Sequence, residues 1–392
     1  MHDRVLLTGA RAPAPFAASF LTRPDRFPDE PAGSPCGDLA ADLLLPAGPY
    51  RVRGLDAAQL GRIARRFGGF CVPGDAPGAA HRFLPLGDGD RRVADDVAVE
   101  IGGHDRGGAP SRTAPPAGRP APVRPCDPEP PVALDVLAAP PRSFRRSVTP
   151  GWHYSFDLDA GPERVRLAGW GFCALLERRA GGRWRAGLWV APGDRRGFLG
   201  SFVNLLRVLA AYRLLDAGGA LLHSAAVADR GAGTLFVGRS GAGKSTVARQ
   251  ALARGLGVLS DELAALTPAP GGAAVSALPF AGDLEPARRP APPLPLARVL
   301  LLAQARRDAL VPVSAAQAVA AAAACAPWIN ADRHRTGALL DNLGRLLGAV
   351  PAARLEFTRD GGFWPLLAAS GGTISSERSG AAGALTEAEA AA

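Results

Sequence analysis

The feature that most constrains this chain is a short apolar run leading into a glycine-rich loop and then a helix. Thr234, Leu235, Phe236 and Val237 precede Gly238, Arg239, Ser240, Gly241, Ala242, Gly243, Lys244, Ser245 and Thr246, and residues 246–254 read as a helix. A strand that must enter a helix through such a loop sets one strand end against one helix N-terminus, which requires an α/β architecture. Residues 238–245 fit the pattern GxxxxGK[ST] at every fixed position. Glycines let the loop turn so that successive main-chain N–H groups face inward, and the helix adds its positive end, so the segment predicts a phosphate cradle.

Lys244 is the single lysine among 392 residues. Arginine serves wherever else a cation is needed, but a planar guanidinium is too large for the cradle, whereas an ammonium on a flexible stem fits between phosphate oxygens. In this reading residues 238–246 bind ATP, Lys244 bridges the outer phosphates and the Ser245 hydroxyl meets Mg2+.

The next apolar run, 256–259, ends in Ser260, Asp261 and Glu262. An acid at a strand end after a phosphate loop reaches the magnesium, and a neighbouring acid serves as general base, so Asp261 is a metal ligand candidate and Glu262 a base candidate. His223 lies in the strand-like run 221–227. A histidine among apolar residues is commonly a satisfied core residue, but pairing of this run with 234–237 brings it near the phosphates, and both readings stand.

The rest of the chain divides by composition. Residues 1–101 form a small unit of no evident role, with short strands at 43–45 and 50–52 and a helix over 57–66 capped by Asp56 and ended by Gly68 and Gly69. Residues 102–131 are rich in Gly, Ala, Pro and Arg and read as a linker. Residues 132–367 read as one domain and 368–392 as a frayed tail. Within the domain, strands are expected at 164–170, 172–178 and 184–190, with a hairpin turn at 180–182. A helix is expected over 198–215, with Phe198, Phe202, Leu205, Leu206, Leu209 and Tyr212 at helical spacing and Gly218 and Gly219 after it. Further strands are expected at 257–259, 263–266, 275–278, 299–303 and 354–357. Ser314 with Gln317 makes a capping box for a helix over 315–325, and 336–347 is helical.

A formal charge of +9 raises the question of nucleic acid, but the arginines are scattered in short pairs, so neither a nucleic-acid nor a membrane partner is expected. Cys36, Cys71, Cys126, Cys173 and Cys325 form no CxxC pair, which argues against a zinc site or a disulfide framework. The first residues lack a signal-peptide pattern and no apolar run reaches membrane-spanning length, which points to the cytoplasm.

On these motifs residues 221–266 resemble the HPr kinase/phosphorylase family in its broader HPr-kinase-like branch, with weaker similarity from 198 to 357. The resemblance implies the P-loop fold found in HPr kinase and ATP-dependent phosphoenolpyruvate carboxykinase, a mixed sheet with flanking helices. It implies His223 as the active-site histidine, residues 238–246 as the nucleotide loop, and Asp261 and Glu262 in place of paired aspartates. Glu262 departs from the second aspartate, and residues 277–283 stand where the family's downstream signature is expected.

The expected activity is Mg-dependent phosphorylation of a serine-type hydroxyl on a protein or peptide, and a homo-oligomer is compatible with the sequence. A nucleotide-binding regulator without catalysis remains open. A transport-type ATPase ranks lower, because Asp261 and Glu262 follow Lys244 by only 17 and 18 positions and no LSGGQ-like run is present.

Overall fold

The computed structural model describes residues 31–74, 130–144, 156–169, 171–193, 197–280 and 282–369. The expected linker at 102–131, almost in full, and the tail after 369 lie outside the described residues.

The first half of the fold is one sheet. It contains β1 (Ser34–Pro35), β2 (Leu39–Leu45), β3 (Gly48–Leu55), β4 (Cys71–Gly74), β5 (Val132–Ala138), β6 (Phe156–Ala160), β7 (Arg164–Gly169), β8 (Phe172–Arg178) and β9 (Trp184–Val190). The strand order is β4-β2-β3-β5-β9-β8-β7-β6, with β1 on β5. β3 and β9 both run parallel to β5, and the outer pairs are antiparallel. Residues before 75 therefore share a sheet with residues after 130. Helix α1 (Ala57–Phe67) follows β3. Its N-cap Asp56 accepts from the Gln59 amide while the Gln59 side chain accepts from the Asp56 amide, a capping box that ties off two otherwise orphan donors.

Helix α2 (Phe198–Asp216) packs on β8 and β9 of this sheet and on β10 (Ala220–Asp229) and β13 (Leu263–Ala269) of the second. Its periodicity suggests a one-sided stripe, but its residues are buried nearly all round because it has a sheet on either side. Phe198, Phe202, Leu205, Leu206, Leu209 and Tyr212 are each at most 1% exposed, a burial worth on the order of 10 kcal/mol at ~1.5–3 kcal/mol per side chain. By length and composition α2 is apolar enough to cross a bilayer, which corrects the expectation that no run is; most of it is covered by protein.

Its polar groups find partners across the core. Tyr212 donates to Asp332 at 2.9 Å and Arg335 donates to the same carboxylate at 2.8 Å, while the Arg335 guanidinium lies 4.9 Å from the Tyr212 ring centre. Arg213 lies 4.9 Å over Tyr50 and donates to the Pro49 carbonyl. The last turn is closed by Asn342, which donates to the carbonyls of Leu215 and Gly219.

The second sheet adds β11 (Ala232–Val237), β12 (Gly257–Ser260), β14 (Gly272–Ser276), β15 (Leu294–Gln304), β16 (Ala309–Pro312) and β17 (Ala352–Phe357) to β10 and β13. The order is β11-β10-β13-β14-β15-β17-β16, with β12 on β10. β11 also pairs parallel with β15, so β11, β10, β13, β14 and β15 close into a ring. Helix α3 (Lys244–Ala253) follows β11, α4 (Ala315–Ala324) follows β16, α5 (Thr336–Leu347) precedes β17, and α6 (Trp364–Ala369) is last. β15 begins five residues before the expected strand at 299. Pro295 sits where β15 meets β14 in only two residue pairs, a short pairing that tolerates a missing donor. β10 and β11 are joined by Arg230 and Gly231, both at positive φ (47° and 79°), a two-residue turn suited to the twist of a hairpin. Among the described residues the fold is thus a mixed α/β arrangement of two mixed sheets with helices.

Candidate functional site

β10 organises the site. On one side it pairs antiparallel with β11, matching Ser224 to Val237; on the other it pairs with β12, matching Ala226 to Ser260, and then with β13, matching His223 to Leu263. The glycine loop that leaves β11 and the two acids between β12 and β13 therefore lie one strand apart, with His223 on the strand between them. Ala225 and Val227 share a small core with Val247, Ala248 and Ala251 of α3, and alternation places His223 on that same face.

The loop has the backbone its glycines predict. Gly241 and Gly243 have φ of +79° and +107°, a region L side chains rarely adopt. A Cβ at Gly243 would come 2.6 Å from Cζ of Phe357, and one at Gly238 would come 2.7 Å from Cβ of Ala242. The Ala242 amide donates to the Arg239 carbonyl at 3.0 Å, and Gln304 donates to the Gly241 carbonyl at 2.8 Å, fixing the loop against β15. α3 starts at Lys244, two residues earlier than the sequence suggests, with Gly243 as its N-cap. Arg239 and Ser240 are exposed, while Ser245 and Thr246 are half-buried.

Lys244 is 6% exposed, and its ammonium donates to the carbonyls of Gly238 (2.8 Å) and Arg239 (3.0 Å). Burial pushes its pKa down, with Cys325 and Glu262 opposing. Those two carbonyl contacts are weak enough to exchange for charged phosphate oxygens, which bind an ammonium more strongly.

Asp261 and Glu262 sit in the break between β12 and β13, where the Ser260 hydroxyl accepts from the amides of Glu262 and Leu263. Asp261 is buried. Its Oδ2 accepts from the amides of Asp283 (2.8 Å) and Leu284 (3.2 Å), which leaves Oδ1 for a further partner. A Cβ at Gly282 would lie 2.6 Å from Oδ1, so that glycine lets the backbone close over the carboxylate. Glu262 pairs with Arg207 of α2 at 2.9 Å. Burial pushes the Glu262 pKa up, and Asp261 adds to this, while Arg207 and Arg66 oppose it. His223 is pushed down to about 4, first by burial and then by the Lys244 charge, so its ring is neutral at pH 7. Of the two base candidates Glu262 is the better matched, because its shift runs towards neutrality and that of His223 runs away from it.

Three members of the site carry no signal in the sequence. Arg207 lies on a helix otherwise read as a core stripe, 55 positions before its partner Glu262. Cys325 ends α4; its carbonyl accepts from the His223 amide at 2.7 Å, and its thiol is raised by burial against the opposing influence of Lys244 and the Gly238 main chain. Gly282 has no local pattern that marks it for closing over a carboxylate. Among the described residues no cluster of three or more His, Cys, Asp or Glu side chains could hold a metal. A magnesium ion keeps most of its shell from water and phosphate and so would need few protein oxygens; the Ser245 hydroxyl at the start of α3 and the Asp261 carboxylate are the oxygens the chain would offer to one.

The comparisons with known proteins correct one expectation. The HPr kinase/phosphorylase family is not found; the motifs behind that resemblance are ones any phosphate-binding strand–loop–helix needs, so they do not separate families. No curated protein matches the chain. The similarity found is to the family described as SynChlorMet cassette protein ScmC, over residues 201–368, less than half of the chain but containing every candidate site residue.

Proposed function

We propose that this chain binds MgATP on residues 238–246 and transfers the γ-phosphoryl group to a serine-type hydroxyl on a protein or peptide, using a P-loop domain. The observation that carries this reading is the convergence around β10 of the glycine loop, Lys244, His223 and the acid pair.

In this reading the loop amides and the N-terminus of α3 bind the β- and γ-phosphates. Lys244 leaves the Gly238 and Arg239 carbonyls for the phosphate oxygens. Ser245 and Asp261 would hold the magnesium, which would supply charge neutralisation at the phosphates. Glu262 takes the proton of the acceptor hydroxyl as the oxygen–phosphorus bond forms and the bond to the ADP oxygen breaks. Arg207 keeps the Glu262 carboxylate aimed.

The test is Lys244→Ala. It should weaken binding of a fluorescent ATP analogue with magnesium by about 100-fold, the loss of one charge-assisted contact to a polyanion, with an unchanged melting temperature. Unaltered affinity refutes the site.

A second reading, an ATP-binding regulator, is favoured by the engagement of both acids with protein partners, Asp261 with the 283–284 amides and Glu262 with Arg207. Incubation with γ-labelled ATP in host lysate separates the two. Label on a protein or peptide supports transfer, and binding without transfer supports the regulator.

A further inference from the structure

A cavity of about 460 Å³ opens beside the acid pair, lined by Arg62, Arg65 and Arg66 of α1 and by Asp283, Glu285 and Arg288 of the segment after β14. That segment is fixed at both ends. Its Asp283 and Leu284 amides donate to Asp261, and its Arg288 carbonyl accepts from the Gly69 amide at 2.7 Å. Arg66 donates to the Pro279 carbonyl at 2.9 Å, and Asp283 and Leu284, which line the cavity, are the residues whose amides hold Asp261, so the cavity adjoins the acid pair through that segment.

The two carboxylates are already paired, Asp283 with Arg249 of α3 at 2.8 Å and Glu285 with Arg288 at 3.6 Å. Among the described residues Arg62 and Arg65 make no ion pair. They lie three positions apart on one helix face, so their stems are about 5–6 Å apart. Carboxylates on alternate residues of an extended peptide recur every ~6.5–7 Å, and a guanidinium fork accepts a carboxylate in two hydrogen bonds.

We propose that this cavity is the acceptor site and that it takes an extended acidic peptide segment, with carboxylates on alternate residues next to the hydroxyl to be phosphorylated. The acceptor role rests on the transfer reading above, whereas the acidic-peptide preference does not. A peptide suits the wall better than a nucleic acid, because an extended peptide can place uncharged residues opposite Asp283 and Glu285, whereas a phosphodiester chain carries a charge at every residue.

The experiment uses the full chain and two fluorescent synthetic peptides, each with one serine, flanked on alternate positions by glutamates or by glutamines. At low salt the glutamate peptide should bind at least about tenfold tighter, and Arg62→Glu with Arg65→Glu should erase that preference while MgATP binding is unchanged. Arg62→Gln with Arg65→Gln, checked by circular dichroism, reads the same loss without charge reversal. Equal binding of the two peptides, or a preference that survives both variants, overturns the proposal. So does a single-stranded oligodeoxynucleotide that binds more tightly than the glutamate peptide and is lost in the same variants. A preference for the acidic peptide without label transfer would refute the transfer reading and leave the cavity's ligand class standing.

Discussion

Gly243→Ala tests whether the loop conformation is imposed by its surroundings. The residue has φ +107° and ψ 15°, so an L side chain there costs about 1–2 kcal/mol in backbone energy alone. Its Cβ would also come 2.6 Å from Cζ of Phe357. That ring is 2% exposed and packs edge-on against Phe363, with centroids 5.5 Å apart and planes at 73°, so it has little room to yield. Overpacking of this kind adds about 1–3 kcal/mol. The total of about 2–5 kcal/mol should lower the melting temperature by about 4–20 °C, at ~2–4 °C per kcal/mol for a domain of this size. Gly241→Ala is the internal control. Its φ of +79° carries a similar backbone cost, but no atom lies within 4 Å of its Cβ, so it should lose only the first part. Differential scanning calorimetry of both variants, with nucleotide titration of each, reads the difference. Equal destabilisation, or a stable Gly243→Ala protein that still binds nucleotide with parent affinity, would refute the reasoning.

The remaining predictions concern the charged groups around β10. Arg207→Gln removes the countercharge of Glu262, whose pKa burial already raises; the acid limb of ATP turnover should move to higher pH, with about tenfold less activity at pH 7, and an unmoved limb would exclude Glu262 as base. His223 is held at about 4 in the fold against 6.5 in the unfolded chain, so between these values the unfolded state binds more protons. It therefore contributes a stability that rises with pH across this window and is lost as pH falls from 6.5 towards 4. His223→Gln should flatten that part of the curve by about 2 kcal/mol after allowance for partial exposure, read from urea midpoints against pH. An identical slope in parent and variant would show that the ring is not buried as described.

Features set by neighbouring residues are legible in the sequence. The loop at 238–245, the capping box of Ser314 and Gln317, the helix at Thr336–Leu347 and the glycine stop after α1 all depend on backbone preferences and on hydrogen bonds spanning three or four positions. The site as an assembly is not legible there. Arg207 reaches Glu262 across 55 positions and Asp261 gathers amides 22 and 23 positions away, and neither contact leaves a periodic trace. The family resemblance failed for the matching reason, since a local motif records what a phosphate requires of a loop and little about the rest of the chain.

By itself the sequence determined the glycine loop between a strand and a helix, its one lysine and the acid pair, because those are patterns set within a few residues. Only the tertiary structure decided that β10 lies between loop and acids, that β11 closes onto β15, and that the residues before 75 join the sheet formed after 130. These are choices among strand partners with similar local preferences, settled by which arrangement buries α2 on all sides, a sum over the whole core that no short segment contains.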